Sequence, residues 1–200
     1  MIRQLKYFPL LLSSFLVCCA SADVLVIGSD GVTPGVNSPD VEVGSYIRAD
    51  QPGTSLSDNY LLVGELNGNR GSLRGLLSFD LSLIPDGATI TSATVSLFQD
   101  KTMAGRGAFR PVNLQLFSMT GALSSGSTWN SASGQFDALL DAIPGNTRTV
   151  FLNQEFAFSS ASLSQYLQNS LSGGALHLGV MVPQANAAEA LALLIQLKNL

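Results

Sequence analysis

Cysteine is nearly absent from this sequence, and its position matters more than its number. The chain of 200 residues has 2 cysteines, Cys18 and Cys19, with 1 histidine, His177, and 1 tryptophan, Trp129. So few thiols and imidazoles cannot assemble the usual tetrahedral zinc site. Charge is also sparse, at 12% of residues, and the formal net charge is −4. No stripe of Lys and Arg forms anywhere, which argues against nucleic acid as a partner. The same balance disfavours a polyanionic ligand unless a local cluster or a bridging cation reverses the field. Past the first 22 residues, no apolar run has the ~20 residues needed to cross a bilayer. The apolar stretch 187–197 contains Glu189 and Gln196 and reads as a final strand. Fixed-period repeats, charge runs and Pro-rich linkers are lacking too, so a single domain is expected.

The amino terminus is rich in the features of export. Arg3 and Lys6 precede an apolar run over residues 9–19, broken by Ser13 and Ser14 and followed by Ala20-Ser21-Ala22. This is the layout of a secretory signal peptide, residues 1–22, with cleavage before Asp23. Residues 23–200 are then the mature domain, expected to be secreted, extracellular or on the cell surface, with no membrane span. Cleavage removes both cysteines, so the core must stabilise the domain without disulfides. It also removes two basic residues and no acid, taking the formal charge from −4 to −6.

Short apolar runs separated by Gly, Pro, Asn, Asp and Ser clusters fill the mature region, the punctuation of an all-β fold. Strands are expected at 24–27, 41–47, 60–66, 73–81, 90–99, 112–119, 147–158, 175–182 and 190–197. In 90–99, Ala93, Val95 and Leu97 alternate with Thr94, Ser96 and Phe98, which puts one face in a core and leaves the other against solvent or a second layer. One helix is expected where Ser159 to Ser162 offer N-cap hydroxyls and Leu163, Tyr166, Leu167 and Leu171 share a face. Gly173-Gly174 would end it. A second short helical turn is expected at 135–141. About nine strands with one or two short helices in loops describe a single-domain β-sandwich, of jelly-roll type.

Residues 74–98 are the most specific part of the chain. The run Phe79-Asp80-Leu81-Ser82, then Pro85, then Gly87-Ala88-Thr89-Ile90-Thr91-Ser92-Ala93-Thr94-Val95 closely resembles the central signature of the DNRLRE domain, a disaggregatase-related carbohydrate-binding module family. Tyr46-Ile47-Arg48, Asp58-Asn59-Tyr60 and Thr128-Trp129-Asn130 resemble further elements of it. The resemblance implies a non-catalytic module that recognises a surface or matrix polysaccharide, in a family with alginate-binding members. Gly44-Ser45 and Ala157-Phe158 depart from the family by lacking its acids. The motif residues themselves make fold: Phe79 and Leu81 point inward, Asp80 accepts backbone N–H groups, and Pro85-Asp86-Gly87 reverses the chain.

Catalysis finds little support in these residues. His177 alternates with Leu176 and Leu178 and so faces away from them, with no partner set evident. No Gly-x-Ser-x-Gly elbow follows a strand. Glu42, Glu65 and Glu155 lie in expected strands, without any sign that two converge as glycosidases require. Structural calcium is left open by Asp30, Asp40, Asp50, Asp58, Asp86 and Asp100 in or beside turns, although solvated turn residues explain them as well. Sugar binding needs aromatic faces and polar edges, so the ligand-contact candidates are Trp129, Tyr46, Tyr60, Arg70 and Arg74. Trp129 lies in a loop-like stretch, where its alternative role is a core plug. The rival to a glycan-binding module is an exported structural or adhesive protein using the same sandwich. The oligomeric state is not legible from these residues.

Overall fold

Among the described residues, period-two alternation is realised as ten strands, all paired antiparallel. The computed structural model describes residues 41–57, 60–66, 71–102, 113–143, 154–183 and 192–196. In chain order they form β1 (Val41–Arg48), β2 (Leu56–Ser57), β3 (Tyr60–Leu66), β4 (Gly71–Asp80), β5 (Val95–Thr102) and β6 (Leu114–Met119). A one-turn helix α1 (Trp129–Ala132) precedes β7 (Phe136–Ile143) and β8 (Gln154–Phe158). Helix α2 (Ala161–Ser170) then leads through a 3-10 turn, Leu171–Gly173, to β9 (Ala175–Met181) and β10 (Ala192–Gln196).

Neighbouring strands run β7-β6-β9-β4-β3-β10-β5-β8, with β1 paired to β4 and β2 to β1. Strand β4 joins two layers. Along one flank it pairs with β1; along the other, residues 75–80 pair with β9 and residues 71–73 with β3. The layers enclose one core, in which Leu77, Leu178 and Leu116 meet Leu61, Leu97 and Phe158. Each buried leucine contributes about 2 kcal/mol relative to an exposed one. Gly75 sets the spacing between layers: a Cβ there would fall 2.5 Å from Leu61 Cγ. The fold is an all-β sandwich with short helices in its connections.

Helix α2 closes one end of the core with Leu163, Tyr166, Leu167 and Leu171, the expected face. Ser160 caps it by accepting from Leu163 N at 3.0 Å, while its own hydroxyl donates to Leu140 O at 2.7 Å. Gly174, in the left-handed region at φ 71°, ends the helical segment as expected. At the 79–88 motif, Asp80 accepts from Ser82 N at 2.8 Å, and Ala88 N donates to Pro85 O across a turn whose Gly87 has φ 78°.

Three expectations are corrected. Residues 135–141 are not a helical turn: Phe136–Ile143 is a strand, because pairing with β6 overrides a helical apolar spacing. Residues 90–94 are not strand either. Side chains of α2 take their backbone donors instead, Gln168 Oε1 from Ile90 N and Ser164 Oγ from Ala93 N. Trp129 opens a helix rather than lying in a loop. Strand β2 was not foreseen. The calls on residues 1–40, including the signal and the strand at 24–27, lie outside the described residues, as do 147–153 of the strand expected at 147–158. Among the described residues, no helix is long and apolar enough to cross a membrane.

Candidate binding surface

Alternation gives the layer containing β1, β4, β9, β6 and β7 a second face, turned away from the core. Cross-strand partners share a side, and the register pairs Ile47 with Arg74, Leu76 with Gly179, Phe117 with Gly179, and Phe117 with Leu139. A glycine at 179 leaves room for a neighbour. The Phe136 ring lies across it, in the space an added Cβ would take, and Met119 Sδ lies 2.8 Å from that position.

The connection from β6 to β7 folds back over this face. Thr128 and Ser131 form a reciprocal capping box at the start of α1. Asn130 N donates to Pro52 O at 3.0 Å, pinning α1 to the β1–β2 connection. Trp129 and Phe136, both half-buried, then pack on a small cluster of Ile47, Leu76, Met119, Leu123 and Ala132.

Arg74 rises from β4 between the two rings. Its Cζ is 4.7 Å from the Trp129 ring centroid and 5.0 Å from that of Phe136, within cation–π range. Its Nη1 donates to Ser133 O at 2.7 Å. Phe136 meets Phe117 edge to face at 5.9 Å between centroids. Leu139, 49% exposed, stands beside Phe117. Trp129, Arg74, Phe136 and Phe117 thus form a continuous line of three aromatic rings and one guanidinium, each partly open to solvent.

Of the expected ligand contacts, Trp129 and Arg74 are brought together. Tyr46 is elsewhere: it points to the other side of β1 from Ile47 and is 7% exposed, in a cluster with Leu73, Leu56 and Leu62. Tyr60 lies in β3 opposite Gln196. Arg70 lies outside the described residues. Phe117 and Phe136 were missed as surface candidates. Alternation in β6 could have shown Phe117, which faces opposite to Leu114 and Leu116, whereas Phe136 was hidden by the helical reading of its segment.

Other polar groups on this layer are already engaged. Arg48 binds Asp50 through two hydrogen bonds of 2.9 and 2.7 Å, which raise the guanidinium pKa against a smaller effect of desolvation. Ser78 Oγ is 2.9 Å from His177 Nδ1, but Ser78 is 0% exposed and presents no oxygen to a substrate. Tyr166 Oη accepts from Met119 N at 3.4 Å and lies 3.1 Å from the carbonyls of both Met119 and His177. Among the described residues, no three His, Cys, Asp or Glu side chains group to hold a metal ion. Of the turn aspartates, Asp50 pairs with Arg48, Asp100 lies in β5, and Asp30, Asp40 and Asp58 are outside the described residues.

No protein-family profile matches the chain, and no curated protein is significantly similar to it.

Proposed function

We propose that this chain is an exported, non-catalytic carbohydrate-binding module of the kind the DNRLRE resemblance implies, recognising a surface or matrix polysaccharide. One observation carries the reading: the half-open line of Trp129, Arg74, Phe136 and Phe117 on the outer face of one layer. Sugar rings offer apolar C–H faces that stack on aromatic rings, and their hydroxyls need polar neighbours. Exposed Asn130 and Ser131 beside Trp129, with Gln51 and Thr54 on the connection held by Asn130, supply amides and hydroxyls. The signal-like residues 1–22 would deliver the module outside the cytoplasm, and amino-terminal sequencing of the exported protein should begin at Asp23.

A second reading, a structural or adhesive sandwich, is favoured by a different observation. Trp129 and Arg74 already spend contacts on each other and on Ser133. Native gels of residues 23–200 cast with alginate, pectin, xylan or β-glucan, with and without calcium, separate the two. Retardation by one polymer, lost in Trp129→Ala, supports the module. Migration unchanged by every polymer sinks it and leaves the structural reading.

A further inference from the structure

Glycine is a poor choice in the middle of a strand, where it stiffens nothing and offers no side chain to pack. Gly179 is buried in β9 and paired on both sides, with Leu76 and with Phe117. Its backbone lies outside the left-handed region that calls for glycine. Space, not conformation, is what this residue supplies. We propose, resting on the carbohydrate-binding reading, that Gly179 is the positioning residue of the face: its bare backbone seats the Phe136 ring, and the seated ring keeps Trp129 and Arg74 in line with Phe117.

Phe136 stands opposite Met119 at the start of β7, and its ring reaches past β6 to β9. A Cβ at 179 would overlap Phe136 Cε1 and lie 2.8 Å from both Phe136 Cδ1 and Met119 Sδ. Something must then shift. Met119 is buried, whereas Phe136 is half-buried, so the ring is the group with room to move outward. Phe136 meets a neighbour on each side, the Arg74 guanidinium at 5.0 Å and the Phe117 ring at 5.9 Å. Lifting it divides the line, leaving Trp129 with Arg74 on one side and Phe117 on the other. It also pulls on the connection that carries Trp129, because Arg74 holds Ser133 O three residues before Phe136.

The test is a double-mutant cycle between Gly179→Ala and Phe136→Ala on the purified protein. It is read by the emission and acrylamide quenching of Trp129, the only tryptophan, and by gel retardation with alginate, pectin, xylan and β-glucan. Gly179→Ala should shift Trp129 emission to the red, raise its quenching and weaken retardation about tenfold. In the Phe136→Ala background the same substitution should change none of these, because the methyl enters space the ring has left. Equal effects in both backgrounds overturn the proposal, since a disturbance of β9 itself does not depend on Phe136. Native emission and quenching in Gly179→Ala overturn it too. If far-UV circular dichroism shows that Gly179→Ala does not fold, Phe136→Ala alone decides: a red shift of Trp129 supports the seat, and unchanged emission defeats it. Retardation of the native protein by no polymer defeats the binding reading, while the emission cycle still decides whether Gly179 positions the line.

Discussion

Arg74 shows how a charged residue can be used for its shape. Its two ring contacts and its bond to Ser133 O tie β4 to the connection before β7, so the side chain acts as packing as much as charge. Arg74→Lys keeps the charge but loses the guanidinium's contacts with both rings and its bond to Ser133 O, and should cost about 1–2 kcal/mol in chemical denaturation. Because Trp129 is the only tryptophan, the same variant should shift its emission to the red. Ser45 is a contrasting residue: 1% exposed, with a buried Oγ that has no hydrogen-bond partner among the described residues. Removing an unpaired buried hydroxyl relieves a desolvation penalty, so Ser45→Ala should leave stability unchanged or raise it by about 1 kcal/mol. Tyr166 adds a pH dependence. Burial raises its phenol pKa above the ordinary 10.0, with Asp137 adding to this and the hydrogen bonds at Met119 and Ser170 opposing it. Folding therefore favours the protonated phenol. Its contribution is complete below the unfolded value, near 10.0, and is lost as pH rises towards the folded one. Denaturation midpoints should fall more steeply above that pH in the native protein than in Tyr166→Phe, measured across the same alkaline range.

At the scale of elements, spacing and capping decide most. Gly75→Ala places a methyl against Leu61, which is 0% exposed and has nowhere to move. The substitution should destabilise by about 1–3 kcal/mol without changing the far-UV spectrum. Elements with local causes were legible in the sequence: α2 from its hydroxyl cap, apolar face and glycine stop, and β3 from its short apolar run bounded by turn residues. Those that depend on distant partners were not. Residues 136–143 have apolar spacing that suits a helix, and only β6 makes them a strand. Residues 90–94 alternate like a strand, yet Gln168 and Ser164, more than 70 positions along the chain, claim their N–H groups. The candidate site was half visible for the same reason. Trp129 and Arg74 stand out by rarity and charge, but their meeting requires a connection to fold over a sheet, and Phe136 joins them only through Gly179.

The whole molecule has edges to protect. Among the described residues, β7 pairs only with β6, and Leu139 on it is 49% exposed. Its register with β6 is broken twice, with Ser118 Oγ accepting from Ala138 N at 3.0 Å. Asp137 and Asp141 flank Leu139, and Asp141 also accepts from Ser159 N at 2.6 Å. Irregularity and acidic side chains are how exposed edges resist pairing with one another. Asp137→Val removes one of these and should make the domain self-associate, visible as a concentration-dependent rise in mass by light scattering.

Strand β4 also has a mechanical meaning. Since it is bonded to β1 and β9 along most of its length and to β3 at its beginning, the two layers cannot slide past each other like separate plates. A load drawn through the domain would converge on this strand, and both layers would hold or rupture together.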